Sequence, residues 1–193
     1  MNFLILGLMY GLSGFLMKLS DDEFDEKDGI SHKIIAIILG IFSGGIIGIL
    51  ATHNVDATYI FIGILIGTLF SFKIDGIHHI ASLISFLIIS FIFKIPNLSI
   101  FTLLICIISA FIDEIGNDNK VLYEKNKFLK LFFEYRFTMK IAILVLVILG
   151  MVNSILGYSI PYLSFLSIET LTFFLIFEIS YELARIIFQK FLK

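Results

Sequence analysis

The chain has 193 residues, of which 59% are hydrophobic and only 16% charged, with a mean hydropathy of +1.02 and a formal net charge of −2. A water-soluble domain of this length needs far more polar surface, so that class is excluded. The near-neutral balance argues neither for nor against nucleic acid, but no long basic run is present, so no nucleic acid partner is expected.

Seven apolar blocks follow one another along the chain, at 2–17, 34–51, 58–72, 80–93, 98–112, 137–155 and 163–183. In hydrocarbon every backbone amide must be satisfied within its own segment or in a closed barrel. The blocks lack the strict alternation of barrel strands, so they are read as helices. The expected fold is all-α: a polytopic integral membrane bundle of about seven transmembrane helices, forming a single transmembrane domain over residues 1–193. A span needs about 20 residues, so the blocks at 58–72, 80–93 and 98–112 are short for the task.

The first block has no basic leader and no small-residue cleavage site, and Lys18 follows it directly. This reads as an anchor whose N-terminus faces outward. Threading the blocks alternately then places all but Lys94 of the 14 Lys and Arg on one side. By the positive-inside rule that side is cytoplasmic, giving N-terminus out and C-terminus in, at the cell membrane.

Immediately after the first block stands Asp21-Asp22-Glu23-Phe24-Asp25-Glu26-Lys27-Asp28. If the first helix continues past the membrane, Asp21, Asp25 and Asp28 share one face, where only a cation would favour stacking them. Hard cations such as Mg²⁺ prefer carboxylate oxygens and share them with substrate phosphates. A solvated acidic loop is the plainer alternative. In the second block Gly40, Gly44 and Gly48 recur every four residues, as Gly63 and Gly67 do in the third, which predicts close helix packing. The loop Lys73-Ile74-Asp75-Gly76-Ile77-His78-His79 reads as a polar turn that could add a ligand to a cytoplasmic metal site.

After the fifth block comes Asp113-Glu114-Ile115-Gly116-Asn117-Asp118, on the same expected side. Between 119 and 136, Val121, Leu122, Phe128, Leu129, Phe132 and Phe133 recur at helical spacing among lysines. This predicts a cytoplasmic interfacial helix near anionic membrane lipids. The one cysteine, Cys106, lies in an apolar block and is expected to be a buried reduced thiol. Gly11-Leu12-Ser13-Gly14 has the GxSG form of an intramembrane serine protease, but no histidine follows His79 to act as its base.

The two acidic motifs together resemble those of the UbiA-type intramembrane prenyltransferases. That family carries NDxxDxxxD after one span and DxxxD after another four spans later. Here Asp22 and Asp25 reproduce the DxxD core, and four apolar blocks precede Asp113. Asp21 stands where the family has Asn, and Asp28 comes one residue early. The resemblance covers about residues 18–118 and implies a helical bundle that transfers an isoprenoid from its diphosphate. It further implies Mg²⁺ held by Asp22 and Asp25 with Asp113 and Asp118, to which the shared helix face adds Asp21 and Asp28 as metal candidates. Lys18, Lys33, Lys73 and Arg136 would bind the diphosphate in place of the family's basic stretch.

The last block supports a different expectation. Glu169, Glu178 and Glu182 lie along one helix, with Arg185 close behind. Carboxylates within a span are costly and are read first as functional. A transporter or ion-conducting protein using these three residues is therefore the alternative. A non-catalytic subunit of a membrane complex needs no motif at all.

Overall fold

The computed structural model describes residues 2–74, 76–119, 121, 126–157, 160 and 162–192. Eight α-helices account for most of them. In chain order they are α1 (Phe3–Asp25), α2 (Ile30–His53), α3 (Val55–Phe70), α4 (Ile77–Phe93), α5 (Ile100–Asp118), α6 (Lys127–Glu134), α7 (Phe137–Leu156) and α8 (Ile168–Ile187). A π-helical turn, Phe188–Leu192, continues α8. Each apolar block read from the sequence contains a helix, although 163–167 of the last block precede α8, so the fold is all-α as expected. Of the eight helices, α1, α2, α5 and α7 are long and apolar enough to cross a membrane, while α3 and α4 are apolar but only 16 and 17 residues long.

The outer surface is far more apolar than that of a soluble protein, around an interior that is itself largely apolar. Leu8, Phe42, Leu87 and Phe91 are exposed, whereas Ser13, Ser20, Ser43, Thr58 and Thr102 are buried. A surface of large aliphatic and aromatic groups suits a solvent that is itself apolar, leaving small and hydroxyl residues to mediate helix contacts. Helices of this length, with so apolar an outer surface, make the build of a multi-span helical membrane protein.

The helices group into two compact units. The first contains residues 1–54, 74–96 and 172–193; the second contains 55–73 and 97–171. In the first unit the glycines of α2 seat α4. A methyl group on Gly40 would lie 2.7 Å from the His78 carbonyl oxygen, on Gly44 2.1 Å from that of Ser82, and on Gly48 2.8 Å from the Ile89 side chain. These are distances at which backbone would have to move, so the stripe at every fourth residue is the α2–α4 contact itself. Hydroxyls then tie neighbouring backbones. Ser20 Oγ donates to the Ala36 carbonyl (2.8 Å), Ser43 Oγ to that of Ser13 (3.0 Å) and Ser85 Oγ to that of Ile41 (2.9 Å). Each such bond contributes about 0.6 kcal/mol in a membrane.

The GxSG stretch of α1 is also packing. A methyl group on Gly14 would meet the Phe177 carbonyl oxygen at 2.4 Å, and Ser13 Oγ is bonded to the Tyr10 carbonyl inside its own helix.

In the second unit, Gly63 and Gly67 of α3 seat Cys106 and Ala110 of α5 in the same way. Cys106 is fully buried there as a free thiol, matching the expectation. Asp56, in the first turn of α3, accepts the Ser167 amide (2.9 Å) and the Thr170 hydroxyl (2.5 Å). It thereby caps the start of α8, where orphan amides and the helix dipole both favour a carboxylate. Of the segment expected to be interfacial, the helix runs from Lys127 to Glu134 behind an Asn126 cap, with Phe128 and Leu131 exposed beside its lysines. Lys120 and residues 122–125 of that segment, Asp75 of the α3–α4 loop, and Lys193 lie outside the described residues.

Candidate metal centre

α1 continues well beyond its apolar stretch and ends at Asp25, so Asp21 and Asp25 lie one turn apart on a helix. Asp28 does not join them. It falls in the turn before Gly29, whose φ of +116° suits glycine and redirects the chain into α2. The acidic cluster therefore divides by direction. Asp22 and Glu23 are buried and Asp21 half-buried, while Asp25 and Asp28 are exposed.

The inward carboxylates have partners within the unit. Lys18 Nζ lies 2.8 Å from Asp22 Oδ1, one helical turn away. Glu23 Oε1 meets His32 Nδ1 at 2.6 Å, and its other oxygen lies 3.5 Å from Lys27 Nζ. Lys33 lies over the Phe24 ring, 5.6 Å from its centroid.

Asp21 faces a different set of groups. Its Oδ2 accepts from the Tyr181 hydroxyl of α8 at 3.1 Å. Its Oδ1 lies 3.4 Å from His78 Nε2 and 3.8 Å from His79 Nδ1, and it accepts no hydrogen bond. The two histidines open α4. Their rings are 4.0 Å apart, and Phe24 covers His78 with its centroid 4.3 Å away. His78 is only 2% exposed, yet neither of its ring nitrogens makes a hydrogen bond. One ligand atom from each of Asp21, His78 and His79 falls within 4.8 Å of the other two. An imidazole sealed from water with both nitrogens unsatisfied is costly, and a cation shared with Asp21 would remove that cost at Nε2.

The position of the His78 ring depends on Gly76. A methyl group there would lie 2.4 Å from the ring's Cε1 and 2.5 Å from Nδ1. Hence the segment Gly76-Ile77-His78-His79, a polar turn by its sequence, delivers two imidazoles to the end of α1.

The second acidic motif is held within its own unit. Asp113, 1% exposed, accepts the Thr138 and Met139 amides at 3.0 and 2.8 Å, capping the first turn of α7. Glu114 pairs with Arg136 at 3.1 Å, and Asp118 with Lys73. Lys73 and Arg136, expected to meet a diphosphate, thus face carboxylates of that motif.

On α8, Glu182 pairs with Arg185 at 2.6 Å and Glu178 is half-buried. Glu169 lies in the helix's first turn and is exposed, because α8 begins only at Ile168. It is not two turns inside a span, as the block 163–183 implied.

Comparison with family models, with curated proteins and with solved structures returns no match for this chain.

Sequence reading singled out Asp21 among the acidic residues but did not pair it with His78 and His79 or with Tyr181. Asp56 was missed altogether. Its one local signal is a lone aspartate at the mouth of an apolar block, the usual mark of a helix start.

Proposed function

We propose that this protein crosses the cell membrane seven times, N-terminus out and C-terminus in, and performs cation-dependent chemistry on an isoprenoid diphosphate at the cytoplasmic face. The observation that carries the reading is the end of α1. There Asp21, Asp22 and Asp25 stand at the end of a helix of spanning length, with Lys18, Lys27 and Lys33 close by in the same unit. Carboxylates that take a divalent cation, set among ammonium groups, are the donors a diphosphate needs when its allylic carbon–oxygen bond breaks and charge develops on the leaving oxygen.

The seven spans would be α1–α5, α7 and α8, with α6 lying at the interface. The charge ledger of the sequence supports the orientation. In this reading Mg²⁺ belongs to Asp21, Asp22 and Asp25, without Asp28, and the diphosphate to Lys18 and Lys33. Asp113 and Asp118 would hold helices in place, since both already have partners within their own unit.

The test is thermal unfolding of the detergent-solubilised protein with Mg²⁺, with an isoprenoid diphosphate, and with both. Stabilisation that needs both ligands and vanishes in Asp22→Asn/Asp25→Asn is the expected result. Melting that never responds to the pair of ligands would remove the diphosphate reading.

A further inference from the structure

We infer that Asp21, His78 and His79 form a binding site for a first-row transition-metal dication, with Zn²⁺ the leading candidate. Three observations converge on it. The ligand atoms are already gathered: His78 Nε2 and His79 Nδ1 lie 3.4 and 3.8 Å from Asp21 Oδ1. Two donors bound to one tetrahedral Zn²⁺ at its usual bond lengths lie about 3.4 Å apart, which the two distances to Asp21 approach, while the three donor atoms together lie within 4.8 Å of one another and draw in on binding. Second, the His78 ring is buried at 2% exposure with neither nitrogen hydrogen-bonded, and the oxygen it faces is equally unsatisfied. At 3.4 Å the pair is too far apart for a good hydrogen bond, yet suitably spaced for an ion between them. Third, Asp21's remaining oxygen is oriented by the Tyr181 hydroxyl, the kind of outer contact that fixes a ligating carboxylate.

The donor set selects the metal. Two imidazoles and one carboxylate suit Zn²⁺ and its first-row neighbours, whereas Mg²⁺ prefers oxygen throughout. Three protein ligands leave a coordination position open for water or an oxygen of a substrate. This inference does not depend on the diphosphate reading, because it concerns another cation on a donor set completed by two imidazoles. The two ideas share Asp21 but fail separately.

The experiment uses full-length, tag-free protein, stripped of metal in detergent and titrated with Co²⁺ as a spectroscopic stand-in for Zn²⁺. One Co²⁺ per chain is expected, with a visible d–d band that added Zn²⁺ bleaches. Asp21→Asn and His79→Asn should abolish the band at stoichiometric Co²⁺, and Tyr181→Phe should weaken affinity by about 10–100-fold. His32→Asn, which removes the neighbouring Glu23 pair and no proposed ligand, should leave the band intact. Replacing the buried His78 would test packing as well as ligation, so the half-exposed His79 is the deciding variant, with native helicity confirmed by circular dichroism. Absence of a stoichiometric band in the parent protein would overturn the site and leave a His–Asp ion pair. A band that survives both Asp21→Asn and His79→Asn would also overturn it.

Discussion

Gly76 limits where the His78 ring of the proposed metal site can lie. Its α-carbon faces the His78 ring so closely that a methyl group would be 2.4 Å from the nearest ring atom. Phe24 packs on His78, so the ring cannot simply retreat. Gly76→Ala is therefore expected to displace His78 from Asp21. The measurement is Co²⁺ affinity beside thermal midpoint: affinity should fall by well over tenfold while the midpoint moves little, since α4 stays seated on α2 through Gly44 and Gly48. An unchanged affinity would mean that His78 does not ligate. At this scale the sequence was only half legible. Asp21 was visible as one of several carboxylates, and His78 as a possible ligand. Nothing in residue spacing could tell that the turn before α4 folds its imidazoles back onto α1, because that depends on how closely α4 approaches α2.

At the scale of elements, the glycine stripes were legible because they obey a local rule. Small residues four apart lie on one helix face, and in lipid such a face is where another helix fits. The partner helices, α4 for α2 and α5 for α3, came only with the structure.

Asp113 shows the limit of the same reasoning. Its place at the end of an apolar block marks it as special, yet its oxygens are taken by the Thr138 and Met139 amides of α7. Arg136, which precedes that helix with φ +48°, provides no side-chain cap of its own. A cap supplied from α5 leaves no signature near residue 137. Asp113→Ala should then destabilise the protein by about 1–2 kcal/mol, the usual cost of a lost cap. Its response to Co²⁺ should be unchanged. Thermal melting with and without the metal checks both halves.

For the whole molecule, orientation can be read with one thiol at a time, because Cys106 is the only cysteine. In a Cys106→Ala background, Asn97→Cys is expected to react with a membrane-impermeant maleimide on intact cells. Asp28→Cys should react only after lysis. The reverse pattern would invert the proposed topology, and labelling of both on intact cells would place the two loops on one side.

What the sequence determined alone is the solvent and the secondary structure. Long apolar blocks leave the backbone no partner but itself, so helices in lipid follow from composition and local hydrogen bonding. The tertiary structure decided which polar groups face one another. Asp56 meets the start of α8 from 111 residues away, and Asp21 meets Tyr181 from 160. Such pairings depend on helix contacts set by shape, and a charged residue at a helix end looks the same in sequence whether it caps a neighbour, pairs with a lysine or holds a metal.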